Sequence, residues 1–114
     1  VPRLLRAADA FVFPSVNEGL ALSAVEAQAS GLPTIVSTGV PELAVVSDRT
    51  SRMSLADGAE AWASACVRML AAAARSARSD ACEQVRAHGF DIADTSMRLA
   101  AFYEAAAAGR RAQW

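Results

Sequence analysis

Two glutamates, Glu18 and Glu26, have a type and spacing that could form a ligand site, with seven residues between them. If the intervening chain were helical, their carboxylates would lie about 12 Å apart. That distance suits the two ends of one extended ligand and is too long for a general acid/base pair acting on one bond. Spacing alone also allows a simpler interpretation, in which Glu18 is an ordinary loop acid and Glu26 an exposed helix residue.

The segment between the glutamates is predicted to contain the start of a helix, near Gly19–Ser23. The first turn of a helix offers unpaired N–H groups and a positive dipole end, so a pyrophosphate can bind there. A carboxylate on either side could accept hydrogen bonds from sugar hydroxyls that flank the phosphates. Open α/β sheets bind ligands outside the carboxyl ends of their strands, which is where this turn is expected.

The elements that must position these residues form a predicted βαβ unit. Ala10–Pro14 is a short apolar run typical of a strand buried on both faces. Leu20–Ser30 has helix formers at helical spacing, and Gly31 is placed to end that helix. Thr34–Ser37 is the next predicted strand, so the two strands should be parallel.

The flanking residues are predicted to add one doubtful strand at 52–55 and several helices. Residues 1–8 are predicted to contain the end of a helix, and Pro41 is predicted to open a short one. Three further helices are predicted at 59–74, from Ser79 or Asp80 to 87, and at 91–108, the first with Asp57 as its N-cap. A doubly wound sheet normally has five or more strands. Residues 1–108 are therefore predicted to form a partial Rossmann-like three-layer α/β domain, with 109–114 as a frayed tail.

Composition excludes several classes of function. The chain has 114 residues, enough for one ordinary domain. Its 11 basic and 12 acidic side chains give a net charge of −1, so it lacks the basic face of a nucleic-acid-binding protein and a polybasic membrane anchor. Hydrophobic residues make up 54%, but many are alanine, which buries little area, so a thin core is expected.

Targeting, redox and metal signals are absent from the sequence. It shows no secretory signal and no run of about 18 apolar residues, which predicts a cytoplasmic protein. Cys66 and Cys82 form no CxxC pair and are predicted to be reduced and buried. His88 is the single histidine and has no ligand cluster around it, so no metal site is predicted.

Three segments carry a family resemblance: Ala8–Ser15 (ADAFVFPS), Glu18–Leu20 (EGL) and Val25–Pro33 (VEAQASGLP). They resemble the donor-site region of GT-B glycosyltransferases, the retaining nucleotide-sugar enzymes with an E-x7-E motif. The similarity extends over roughly residues 3–105 and is greatest to the enzymes that build capsular polysaccharides and exopolysaccharides. It implies that the chain is half of a GT-B C-terminal domain.

The resemblance also implies an activity and a set of roles. A sugar would pass from a nucleotide-diphosphate sugar, the co-substrate, to a glycan or lipid-linked acceptor with retention, without a cofactor or a bound metal. Glu18 would be the catalytic-site residue that contacts hydroxyls of the transferred sugar, and Glu26 would bind the ribose. Glu42 is a further candidate to face the nucleotide. The sugar and diphosphate would meet the backbone of Gly19, Leu20, Ala21 and Leu22.

Two departures from the family pattern matter. Ala21 stands where many members have a second glycine, and its methyl group could crowd the closest approach of the backbone to the ligand. The family's acceptor domain and the first half of its donor domain, with the basic pair that grips the phosphates, would lie upstream. The isolated chain is therefore predicted to be inactive.

Other classes of function stay open. The chain could be a non-catalytic remnant, or a subunit that pairs through its bare sheet edge and last helix with a separately encoded N-terminal half. The resemblance also leaves open peripheral association with a membrane. An epimerase-like nucleotide-binding protein is disfavoured, because no G-x-G-x-x-G loop follows any predicted strand.

Overall fold

The computed structural model describes residues 2–73, 78 and 81–110. These residues contain three short strands: β1 (Phe11–Phe13), β2 (Thr34–Ser37) and β3 (Thr50–Met53). They also contain five α-helices: α1 (Pro2–Ala7), α2 (Leu22–Ala29), α3 (Gly58–Ala73), α4 (Ala81–Ala87) and α5 (Ile92–Ala107). Two 3-10 turns, Glu42–Ala44 and Leu55–Asp57, lie on either side of β3. The predicted α/β class, a βαβ unit followed by helices, is confirmed.

Some predicted boundaries fall outside the described residues. They are the last residue of the helix predicted to end at Ala74, the start of the next one at Ser79 or Asp80, and most of the tail, residues 111–114. Pro41 precedes the first 3-10 turn and has an extended ψ of 144°, so it is not the first helical residue as predicted.

The strands form one parallel sheet in the order β1-β2-β3. Val12 lies opposite Ile35, and Ile35 lies opposite Ser51. The predicted parallel pair, β1 and β2, is thus joined by α2. Because parallel strands end at the same edge, the segments that follow all three strands lie together at the carboxyl edge of the sheet.

The third strand begins two residues earlier than predicted and ends before Ser54, because Ser54 starts a 3-10 turn. The Ser54 hydroxyl accepts a hydrogen bond from the Ala56 N–H at 3.2 Å. The Asp57 carboxylate accepts one from the Ser54 N–H at 3.0 Å, which completes a capping box. Asp57, predicted as the N-cap of α3, therefore uses its carboxylate within this turn.

The core lies between α2 and one face of the sheet. Ala24 and Val25 are buried against Val36 of β2, and Val85 joins α4 to the same cluster. The remaining buried members are Ala21, Val40, Ala44 and Val46. Alanine and valine dominate this cluster, which agrees with the thin core expected from composition.

Helix α2 ends where the sequence predicts. Gly31 has a φ of 71°, in the left-handed region. Its N–H donates to the Gln28 carbonyl oxygen at 2.9 Å, and the Leu32 N–H donates to the Ala27 carbonyl oxygen at 3.1 Å. These two bonds are a Schellman motif. Leu32 and Pro33 are buried beyond it and lead directly into β2.

Several predictions of burial are wrong. Both cysteines are free thiols, as predicted, but Cys82 is exposed and Cys66 only half-buried. Val12 is 43% exposed, and within the described residues its strand, β1, lies at the edge of the sheet. Helix α5 is also largely exposed: Met97 is 66% and Tyr103 64% exposed, whereas Phe102 and Ala105 are half-buried, and no residue of α5 is fully buried.

Candidate functional site

The loop that follows β1 carries most of the predicted site residues and is attached to the loop after β2. The Glu18 N–H donates a hydrogen bond to the Gly39 carbonyl oxygen at 3.1 Å. The Ser37 hydroxyl donates to the Ser15 carbonyl oxygen. Gly39 lies so close to the loop that a Cβ there would be 2.3 Å from the Val16 carbonyl oxygen. Residues at the carboxyl end of β2 therefore fix the position of this loop.

Glu18 is half-buried in the loop, at the carboxyl end of β1, where the sequence places it. Its Oε1 accepts a hydrogen bond from the Ser15 hydroxyl at 2.7 Å. This hydrogen bond orients the carboxylate within the loop. A carboxylate has about four acceptor positions, so Glu18 keeps capacity for hydroxyl groups of a ligand.

The loop continues through the exposed Gly19 and Leu20 to Ala21, which precedes the first residue of α2. Ala21 is buried and left-handed, with φ 54° and ψ 49°. Its Cβ disfavours that conformation, whereas glycine adopts it readily. Ala21 offers no side-chain cap to the helix. A serine or aspartate at this position would accept a hydrogen bond from the N–H of Ser23 or Ala24. Ala21 supplies no such bond, and the Ala24 N–H donates instead to the Ala21 carbonyl oxygen at 2.9 Å.

Replacing Ala21 by glycine is expected to stabilise the chain by about 0.5–1 kcal/mol. Glycine adopts the left-handed conformation without strain, and the free energy gained exceeds the cost of the greater conformational entropy of the unfolded chain. The loss of a buried methyl group offsets part of this gain. Urea unfolding measures the change. Ala63→Gly, at an exposed interior position of α3, should change stability in the opposite direction by a similar amount. A lower free energy of unfolding for Ala21→Gly than for the original chain would contradict this prediction.

Glu26 lies on the exposed face of α2, one turn after Leu22. Helical side chains incline toward the helix N-terminus, which brings Glu26 toward the first turn. The expected separation of about 12 Å from Glu18 assumed that all residues between them are helical. Because α2 begins only at Leu22, that estimate does not apply, and the helical rise from Leu22 to Glu26 is about 6 Å.

Sequence reasoning missed Arg52, which ties the loop after β2 to β3. Its Nη1 lies 2.8 Å from the Glu42 Oε1. Its Nη2 donates to the carbonyl oxygens of Thr38 and Val40 at 3.2 and 3.0 Å. Glu42, a candidate to face the nucleotide, is thus engaged in a surface ion pair. No local pattern signals this role, because the contacts join residues 10 to 14 positions apart.

A cavity of about 420 Å³ lies away from this site, between the sheet and α3. Pro33 and Arg49, which directly precede β2 and β3, line it together with Arg68 and Met69 of α3. Its lining thus lies toward the amino edge of the sheet, whereas Glu18 follows the carboxyl end of β1. Among the described residues, no group of three or more His, Cys, Asp or Glu side chains could hold a metal ion.

A family described as "Glycosyl transferases group 1" matches residues 1–72, which include β1, α2 and both glutamates. The chain belongs to the glycosyl transferases group 1 family. That family implies a Rossmann-like GT-B domain, and the parallel sheet with helices agrees with it. The fold class predicted from the resemblance is therefore confirmed.

Named relatives of this group 1 chain are glycosyltransferases. It is 39% identical over 92 residues to EpsF of Bacillus subtilis (strain 168), named as a glycosyltransferase, covering 80% of this chain and 24% of EpsF. It is 54% identical over 37 residues to the UDP-Gal:alpha-D-GlcNAc-diphosphoundecaprenol alpha-1,3-galactosyltransferase of Escherichia coli. This match covers 32% of the present chain and 10% of the Escherichia coli protein. It is 37% identical over 107 residues to the D-inositol 3-phosphate glycosyltransferase of Corynebacterium glutamicum (strain R). This match covers 90% of the present chain and 25% of the Corynebacterium glutamicum protein.

This group 1 chain thus spans about a quarter, or less, of the length of these relatives. No solved structure matches it. Within the described ranges, none of its helices combines the length and apolar character that crossing a bilayer requires.

Proposed function

We propose that this chain forms the donor-binding portion of a retaining glycosyltransferase. The reaction transfers a sugar from a nucleotide-diphosphate sugar to a glycan or lipid-linked acceptor, with retention at the anomeric carbon. The observation that supports it most is the loop from Ser15 to Ala21. That loop holds the Glu18 carboxylate at the carboxyl edge of the sheet and leads directly into the start of α2.

In this proposal, each part of the donor meets a different group. Glu18 accepts hydrogen bonds from hydroxyls of the transferred sugar, next to the reacting carbon. The backbone of residues 19–22 contacts the sugar and the diphosphate, whose charge the positive end of α2 stabilises. Glu26 accepts hydrogen bonds from the ribose hydroxyls. The nucleotide sugar is a co-substrate, and neither a metal ion nor a cofactor takes part.

The acceptor side of the proposal is supported by the relatives. The Escherichia coli protein is named for a UDP-Gal donor and a diphosphoundecaprenol-linked acceptor. The Corynebacterium glutamicum protein is named for D-inositol 3-phosphate. A glycan or lipid-linked acceptor, bound by an upstream domain, fits a cytoplasmic enzyme of polysaccharide synthesis that associates peripherally with a membrane.

The role of Glu26 predicts a loss of nucleotide affinity on substitution. Glu26→Gln should weaken binding of UDP or GDP, whichever the chain binds, about tenfold, because hydrogen bonds to a charged group contribute about 1.5–3 kcal/mol. NMR titration of the 15N-labelled chain, followed at the amides of residues 19–23, detects millimolar dissociation constants.

A matched control is Glu60→Gln, at an exposed position in the first turn of α3. It makes the same chemical change in the same kind of element and should leave the affinity unaltered. If the original chain and Glu26→Gln bind the nucleotide with equal dissociation constants, Glu26 does not bind the ribose.

A second candidate function is a non-catalytic remnant or a subunit that pairs with a separately encoded N-terminal half. The exposed Val12 of β1 and the exposed Met97 and Tyr103 of α5 favour it, since a larger domain would cover such apolar surface. Size-exclusion chromatography with light scattering distinguishes the two. A monomer with a sharp thermal transition argues against the pairing function.

A further inference from the structure

The Ser15 hydroxyl directs its single hydrogen to the Glu18 carboxylate. The distance from Ser15 Oγ to Glu18 Oε1 is 2.7 Å, a normal O–H···O hydrogen bond. The next acceptor in reach, the Asn17 carbonyl oxygen, lies 3.4 Å away, beyond the usual range for such a bond. The carboxylate therefore receives the hydrogen, in a partly buried position.

The backbone that presents this hydroxyl is fixed from the neighbouring strand. The Ser37 hydroxyl donates to the Ser15 carbonyl oxygen. At the other end of the segment, the Glu18 N–H donates to the Gly39 carbonyl oxygen. A Cβ at Gly39 would also lie 2.8 Å from the Ser15 carbonyl oxygen, so the two loops are in direct contact. Both ends of residues 15–18 are thus attached to the carboxyl end of β2.

We propose that Ser15 is a positioning residue that holds the Glu18 carboxylate ready for the hydroxyls of the transferred sugar. This inference rests on the function proposed above, in which Glu18 meets the sugar and Glu26 the ribose. Ser15 occupies one acceptor position on Oε1, and the others remain for the ligand. Immobilising a free glutamate on binding lowers affinity about threefold to tenfold, and prior orientation avoids that loss. Ser15 therefore governs affinity for the sugar and not for the nucleotide.

The test compares bare nucleotides with nucleotide sugars. The 15N-labelled chain is titrated with UDP, GDP, UDP-glucose, UDP-galactose, UDP-N-acetylglucosamine and GDP-mannose, and the gain in affinity due to each sugar is taken from the ratio of dissociation constants. Ser15→Ala should lower that gain about threefold to tenfold and leave UDP or GDP binding within twofold. Ser15→Thr keeps the hydroxyl and should restore the gain. Ser64→Ala, on the exposed face of α3, should change neither.

Each other outcome overturns the inference in a recognisable way. Three results would each show that Ser15 does not position Glu18. The gain in affinity due to the sugar could be unchanged in Ser15→Ala, or Ser15→Ala could lose equal affinity for nucleotide and nucleotide sugar. In the third, Ser15→Thr would fail to restore the gain. Changed amide shifts far from residues 14–20 in Ser15→Ala would show a purely structural role. If the unsubstituted chain binds no probe, the proposed function itself fails before any substitution is tested. If it binds nucleotides without any sugar gain, the assignment of Glu18 fails.

Discussion

Replacing Gln28 by leucine is expected to lower the free energy of unfolding by about 3–5 kcal/mol. Gln28 is fully buried. Its amide nitrogen donates to the Ala24 and Ala44 carbonyl oxygens at 3.0 and 2.7 Å. Its Oε1 accepts from the N–H groups of Val46 and Ser47 at 2.8 and 3.0 Å. Leucine fits the volume but leaves the three partners outside the helix, at Ala44, Val46 and Ser47, without the amide. Each such group costs about 1–3 kcal/mol, and burial of the apolar leucine side chain offsets part of the sum.

Urea unfolding at 25 °C measures the Gln28→Leu change. The matched control is Gln84→Leu, because the Gln84 amide oxygen only accepts an exposed, long hydrogen bond of 3.4 Å from the Asp48 N–H. That variant should lose less than about 1 kcal/mol. Similar losses in the two variants would mean that the three bonds from Gln28 to Ala44, Val46 and Ser47 do not hold α2 to the segment before β3.

Gly39→Ala is expected to destabilise the chain by about 2–3 kcal/mol and to displace the loop that carries Glu18. The new Cβ would lie 2.3 Å from the Val16 carbonyl oxygen and 2.8 Å from that of Ser15. Both are backbone atoms, so the whole loop must move, with overpacking strain and a weakened bond from the Glu18 N–H. Thermal unfolding measures the stability, and the amide shifts of residues 15–20 report the displacement.

Gly19→Ala provides the control within the same loop, since a Cβ at Gly19 meets no atom within 4 Å and its φ is not left-handed. Its stability should stay within about 0.5 kcal/mol or rise slightly, because alanine restricts the unfolded chain. A Gly39→Ala protein as stable as Gly19→Ala, with unmoved loop resonances, would refute the close contact between the two loops.

The βαβ unit is predictable from sequence because its signals are local. A short apolar run precedes Pro14, helix formers follow Gly19, and Gly31 supplies the left-handed residue that closes α2. Each signal acts within a few residues, where backbone preference and burial agree. The position of Glu18 at the end of a strand, and of Glu26 within the following helix, follows from the same signals.

The contacts that hold the site could not be predicted, because they join residues distant in sequence. Nothing near Gly39 indicates that the carbonyl of Val16 lies against it. Gln28 could be read as an ordinary polar helix residue, yet it is buried and bonded 16 to 19 positions away. The exposure of α5 has another origin: its bounds follow from local sequence, but how far its side chains are buried depends on other layers of structure, and within the described residues none of them is fully buried.

The burial of Gln28 limits how the site can adapt to a ligand. Glu26 and Gln28 are two residues apart, so they project about 200° from each other around the axis of α2. A roll of the helix that moved Glu26 would pull the Gln28 amide from its partners beyond the helix, at Ala44, Val46 and Ser47. We therefore expect the backbone around the exposed Gly19 and Leu20 to adjust to a ligand more readily than α2, whose rotation about its own axis these bonds oppose.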